Sequence, residues 1–257
     1  MTVEDGDYRV AHELAQTLAL PMLESGVSPA DCTQYDALLL LDGDSLSLQQ
    51  TGSAAPGPVA VDFGSSAMRH RRGAGHNELL GRAVGVGKKP ALQVLDATAG
   101  LGRDGFVLAD LGCTVFLAER DPVVAALLRS GILRAQRAND IWLRQAVGRM
   151  SFSQADARDL EPAVLAGMDV IYLDPMFPGR VKSAAVKKEM ALFQLLLQGT
   201  AAVDDADALL LWAMQQPVAR VVVKRPPKAA CLACRTPSHN IGGKAVRYDV
   251  YVQHKLA

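Results

Sequence analysis

Between residues 92 and 225 the sequence moves repeatedly between two hydrophobic periods, and this limits the folds open to it. Short apolar runs, LQVLDA (92–97), TVFLAE (114–119), MSFSQA (150–155), DVIYLD (169–174) and RVVVKR (220–225), are interspersed with helical patterns. One helix begins at Arg103, one follows Pro122, and a long one runs through AAVKKEMALFQLLL (184–197). Strands alternating with helices pair in parallel through crossovers, and a parallel sheet needs helices on both faces. The expected fold class is α/β with a mostly parallel sheet. Beyond it, IGGKAVRYDVYVQ (241–253) has Gly242-Gly243 ahead of an alternating strand, which predicts an antiparallel C-terminal hairpin.

The N-terminal part has a different pattern. Residues 8–20 have helical spacing, and ALLLLDGDSLSLQQ (37–50) reads as two strands joined at Asp42-Gly43. VAVDF (59–63) follows as another strand after the turn-rich TGSAAPGP (51–58). We expect a small α+β extension over residues 1–66, a hinge through GSSAMRHRRGAGH (64–76), and a main domain over 67–257.

Charge and cysteine usage narrow the function. Lys plus Arg and Asp plus Glu both total 27, so no overall basic field attracts nucleic acid and any such contact relies on local patches. No apolar run approaches the roughly 18 residues of a membrane span, and the acidic start MTVEDGDYRV lacks a signal peptide's apolar core. Cys231 and Cys234 form a lone CxxC and the histidines are scattered, so no metal site and no membrane partner are expected. A reducing cytoplasm is the expected location.

In parallel α/β sheets ligands bind at the carboxyl ends of the strands, so the strand tips are the candidate site. The first tip reads DATAGLGRDG (96–105), where Gly100 and Gly102 let backbone approach a ligand and the following helix offers free N–H groups. With Gly105 the string also satisfies G-x-G-x-x-G, so a dinucleotide-dependent oxidoreductase stays open, as does a purely structural turn. Asp96 offers a countercharge to a cationic, amine-bearing ligand. Glu119, on the second tip, can accept from both ribose hydroxyls of a nucleoside, and Asp156, on the third, from an adenine amino group. Each acid alone is equally a solvated or turn-capping residue. Together, beside a glycine loop, they describe a pocket for an adenosine with a positive tail.

DATAGLGRD (96–104), Glu119-Arg120 and YLDPMFP (172–178) resemble the class I S-adenosylmethionine (SAM)-dependent methyltransferases. With AMRHRR (67–72) and VVVKRP (221–226), the chain more narrowly resembles the ribosomal RNA small subunit methyltransferase J family, from about residue 60 to the C-terminus. The resemblance implies a Rossmann-like fold and SAM as cofactor, released as S-adenosylhomocysteine. It also implies methylation of the exocyclic N2 of a guanine in small-subunit (16S) ribosomal RNA. Cofactor contacts carry over to Arg103, Asp104, Glu119, Arg120, Asp156, Ala157 and Asp174. Two positions depart from the usual pattern: Thr98 stands where glycine is common, and Met176 where amine methyltransferases usually have a second proline.

The Asp174-Pro175-Met176-Phe177 tip has a chemical rationale in this light. An exocyclic purine amine is a poor nucleophile because its lone pair is delocalised into the ring. The Asp174 carboxylate and Pro175 carbonyl can accept from its N–H groups and favour the tetrahedral nitrogen that carries developing positive charge. Phe177 offers a face on which the base can stack. The same site would serve an amine in DNA or protein, and a catalytically silent RNA-binding module is a further alternative. Arg69, Arg71 and Arg72, with Lys182, Lys187, Lys188, Lys224 and Arg225, are candidates for an RNA-facing rim, against a plainly solvated hinge.

Overall fold

A computed structural model describes residues 5–23, 26–72, 78–175, 196 and 202–256. Helix α1 (Asp5–Thr17) precedes a three-stranded antiparallel sheet of β1 (Ala37–Asp42), β2 (Ser45–Gln50) and β3 (Val59–Ala60), with β2 in the middle. Asp42 faces Ser45 across the expected turn, where Gly43 has φ +53°, a conformation that costs glycine nothing sterically. VAVDF contributes only two strand residues, because Val61 and Phe63 leave this sheet for the main core.

The expected hinge is in part a helix, α2 (Ser66–Arg72). Helix α3 (Leu79–Val84) starts at Glu78, whose side chain accepts from Leu80 N, and stops at Gly85, left-handed at φ +96°. The main unit then runs β4 (Gln93–Asp96), α4 (Arg103–Asp110), β5 (Thr114–Glu119), α5 (Pro122–Arg137), α6 (Ile141–Val147) and β6 (Met150–Gln154). It continues through α7 (Pro162–Ala166), β7 (Val170–Leu173), α8 (Ala202–Ala213), β8 (Arg220–Arg225), β9 (His239–Gly242) and β10 (Arg247–Val252). Asp121 starts α5 by accepting from the N–H groups of Val123 and Val124, both at 2.9 Å, and Pro122 fills the first turn, where no N–H is needed. The helix expected over 184–197 lies outside the described residues except at Leu196.

These strands form one sheet in the order β6-β5-β4-β7-β8-β10-β9. Neighbours from β6 to β8 pair in parallel, and β10 runs antiparallel to both β8 and β9, which is the expected hairpin. Side chains alternate between two cores. Val94, Val115, Tyr172 and Val222 pack with α3, α4 and α5, while Leu95, Ile171, Val221 and Val223 pack with α7 and α8. Leu46, Leu48, Val59, Val61 and Phe63 belong to the first of these cores. Val61 presses so closely on α5 that a Cβ at Gly131 would stand 2.2 Å from its Cγ1. Phe63 stacks on Phe106 of α4 at 4.7 Å. No helix among the described residues is long and apolar enough to cross a membrane.

The chain enters the sheet at β4, adds β5 and β6 on one side, then crosses to β7 and β8 on the other. That reversal leaves a crevice outside the carboxyl ends of β4 and β7. Asp96, the glycine turn after it and Asp174 lie at that crevice.

Candidate active site

The loop after β4 is held from three sides. Asp96 is 1% exposed and accepts from Thr98 N at 3.2 Å. Burial, reinforced by the like charge of Asp104, pushes its carboxyl well above the usual range. Gly102 starts α4 at φ +72°, and a Cβ there would lie 2.5 Å from Leu128 Cδ1. Gly105 faces Leu117 Cδ2, 2.4 Å from where its own Cβ would be, so this glycine serves helix–strand contact. Gly100, at φ +53°, has nothing nearer its missing Cβ than Thr98 O at 4.0 Å, which leaves room for a ligand.

Glu119 ties this loop to β5. Its Oε2 accepts from Gly100 N and its Oε1 from Asp121 N, both at 2.8 Å. Burial raises its carboxyl, and the two backbone N–H groups work against that rise. Each carboxylate oxygen keeps a further lone pair for hydroxyl donors. Asp156 caps the 3-10 helix Ala157–Asp159 and is clasped by Arg158, with Nε 2.8 Å from Oδ1 and Nη2 2.6 Å from Oδ2. The Arg158 hydrogen bond holds the Asp156 carboxyl below its ordinary value. Arg120 and Arg158 both reach Asp205 of α8, Arg158 at 2.7 Å. Ala157 is buried beneath, and Arg103 is exposed at the start of α4. Neither Arg158 nor Asp205 was singled out from sequence, since their link joins segments far apart in the chain.

The tip of β7 carries the densest set of contacts. Tyr172 and Asp174 share a strand face by the two-residue period, and that face looks onto α4. Asp104 accepts from the Tyr172 hydroxyl at 2.6 Å, from Arg71 Nη1 at 2.6 Å and from Lys224 Nζ at 2.7 Å. Lys224 Nζ also donates to Asp174 Oδ2 at 2.7 Å, and Arg71 also pairs with Glu78 at 3.3 Å. The Asp174 N–H donates to Thr98 Oγ1 at 2.6 Å, so the threonine where glycine is common links the two loops. Burial alone would raise the Asp104 carboxyl, but Lys224 and Arg71 hold it far below its usual range. Asp174 goes the other way: burial and the Asp104 charge raise it, against the pull of Lys224. Pro175 is buried, whereas Phe177, Lys182, Lys187 and Lys188 lie outside the described residues.

The expected basic rim is therefore redrawn. Arg71 and Lys224 turn inward to Asp104, and Arg225 is buried with Nη2 donating to Ala230 O. Arg69 and Arg72 remain at the surface, their guanidinium carbons 5.0 and 4.9 Å from the Trp142 ring centre. Arg69 also pairs with Asp140 at 2.8 Å.

S-adenosylmethionine fits this donor set. The glycine turn is open at Gly100, and a strand-tip acid stands beside it at Glu119. The acids Glu78, Asp104 and Asp174, with Asp96 buried beside them, outnumber the cations Arg71 and Lys224, which suits a cationic ligand. Over residues 26–253 the sequence matches the family model described as "Putative SAM-dependent methyltransferase". A relative from Cellvibrio japonicus named ribosomal RNA small subunit methyltransferase J is 46% identical over 253 residues, 96% of this chain and 94% of the relative. One from Thioalkalivibrio sulfidiphilus with the same name is 49% identical over 249 residues, 94% of this chain and 92% of the relative. The crystal structure of a SAM-dependent methyltransferase from Neisseria gonorrhoeae superposes with a TM-score of 0.72 at 34% identity, covering 99% of this chain and 96% of that one. The G-x-G-x-x-G string accordingly belongs to a methyltransferase glycine loop. The chain is a SAM-dependent methyltransferase of the ribosomal RNA small subunit methyltransferase J family.

Proposed function

We propose that the protein methylates the exocyclic N2 of a guanine in small-subunit ribosomal RNA, in the cytoplasm, with Asp174 and Pro175 as the groups that receive the amine. The observation that carries this reading is the fixed Asp174 tip, held at its backbone N–H by Thr98 and at Oδ2 by Lys224. With Oδ2 held by Lys224, Oδ1 is the oxygen this reading gives to the amine N–H. The Pro175 carbonyl is the second acceptor, and its ring restricts the backbone that aims it. Both acceptors localise the lone pair on the nitrogen and stabilise the positive charge that grows on it. Bound S-adenosylmethionine supplies the electrophilic methyl group. Glu119, Gly100 and Asp156 hold the nucleoside end, and Phe177 gives the base a stacking face. Arg69 and Arg72 are the described part of the RNA rim.

Asp174→Ala tests the reading. It should abolish methyl transfer to small-subunit RNA from a strain lacking the enzyme, a loss of about a hundredfold or more by the usual weight of such preorganised acceptors. Binding of S-adenosylhomocysteine by calorimetry should weaken far less than the transfer rate falls. Transfer at the wild-type rate would remove Asp174 from the chemistry, and methylation at a site other than guanine N2, seen by mass mapping, would replace the substrate.

A further inference from the structure

We propose that Lys224 is a positioning residue for methyl transfer: its ammonium, shared between Asp104 and Asp174, orients the Asp174 carboxylate and keeps it in the form that accepts from the amine. The inference rests on the reading of Asp174 given above.

The geometry has three parts. First, β7 and β8 are in parallel register with Leu173 opposite Val223, so Asp174 and Lys224 are the next residues along the same two strands. Their side chains meet at 2.7 Å. Second, Lys224 is itself immobilised. Its other partner, Asp104, is held by the buried Tyr172 hydroxyl and by Arg71, and Arg71 is braced by Glu78. An ammonium on a flexible stem costs rotamer entropy to localise, and this frame restricts it in advance. Third, Thr98 fixes the backbone of Asp174 and Lys224 fixes Oδ2, so the direction of Oδ1 is set from two points.

The electrostatics agree with the geometry. The charged and titratable groups around Asp174, among the described residues, are Lys224 on β8, Asp104 on α4, Arg71 on α2, Asp96 on β4, Tyr172 on β7 and Tyr248 on β10. Burial and Asp104 favour the protonated acid at Asp174, and the Lys224 ammonium works most strongly against it. Burial would also lower the Lys224 ammonium, but Asp104 and Asp174 keep it charged well above the ordinary lysine range. A protonated Asp174 would present an O–H donor in place of an acceptor oxygen. Lys224 thus favours the accepting form of the β7 tip.

The test is single-turnover methyl transfer followed against pH, with Asp174→Ala, Lys224→Met and Asp104→Asn in the full chain. Lys224→Met should move the acidic limb of the rate profile to higher pH, so its loss of rate is greater on that limb than on the alkaline plateau. The half-saturating RNA concentration should not change. Asp104→Asn removes the like charge and leaves Lys224 undivided, so its limb should move to lower pH. Opposite displacements are not produced by a merely structural role. Should Lys224→Met fail to fold, Lys224→Gln takes its place, and its limb should likewise move to higher pH. An unmoved limb, or two limbs moving the same way, overturns the inference. A raised half-saturating RNA concentration with a flatter salt dependence would overturn it too, returning Lys224 to the RNA rim. If Asp174→Ala is active, the underlying reading has failed instead.

Discussion

At the scale of single residues, Asp96 and Asp104 stand a few residues apart and answer burial in opposite ways. Asp104 meets two cations and a tyrosine hydroxyl, whereas Asp96 meets one backbone N–H and the Asp104 charge. The folded-state value of Asp96 is raised, so its burial is harmless below the unfolded value of about 3.9 and costs stability increasingly as pH rises toward the folded value. Asp96→Asn removes that cost, because the amide oxygen can still accept from Thr98 N and the amide N–H stands where the acid proton was. The variant should melt above the wild type at pH 8, with the gap narrowing by pH 5 in thermal scans. A gap constant across that range would mean that Asp96 is ionised when folded.

At the scale of elements, α2 shows where a local reading stops. AMRHRR has a single buried residue, Met68, so no apolar stripe announces a helix. The helix is held by what it grips: Arg69 and Arg72 flank Trp142 from adjacent turns, and Arg71 reaches past Glu78 to Asp104. The arginines of one short helix therefore have separate duties. Arg69→Gln with Arg72→Gln should raise the half-saturating RNA concentration and reduce the log–log salt slope by about 0.7 for each lost single-strand phosphate contact. Arg71→Gln should leave that slope alone and slow transfer, since it loosens Asp104. Salt titration of binding separates the two, and a flattened slope in Arg71→Gln would put Arg71 on phosphate after all. The parallel strands were legible because buried strands read as apolar runs, and their tips exposed Asp96, Glu119, Asp156 and Asp174 by position alone. The short helices α6 and α7 were not, because caps such as Asp140 and tertiary packing hold them rather than a long periodic face. Lys224 read as a rim residue because strand order, which sets it beside Asp174, is not a local property.

At the scale of the whole molecule, the N-terminal sheet is not a detachable ornament. Ser130 on α5 takes an N–H from Leu46 and gives its hydroxyl to Asp44 O, both at 3.1 Å, and Arg134 donates to Ser45 Oγ at 3.0 Å. Val61 fills the notch left by Gly131. Phe63 goes further in, stacking on Phe106 while its ring sits 3.3 Å from where a Cβ on Gly102 would be. The segment leaving β3 thus backs the glycine turn proposed to receive the cofactor. Residues 1–66 and 67–257 should then unfold in one calorimetric transition, because two units sharing a core cannot melt apart. Phe63→Ala should cost about 3–5 kcal/mol, the usual range for emptying a buried aromatic site. It should also weaken S-adenosylhomocysteine binding, although Phe63 belongs to none of the strand tips, because Gly102 loses its backing. A wild-type scan with two transitions would show that the extension is an independent unit. A destabilised variant with unchanged cofactor affinity would confine Phe63 to the core.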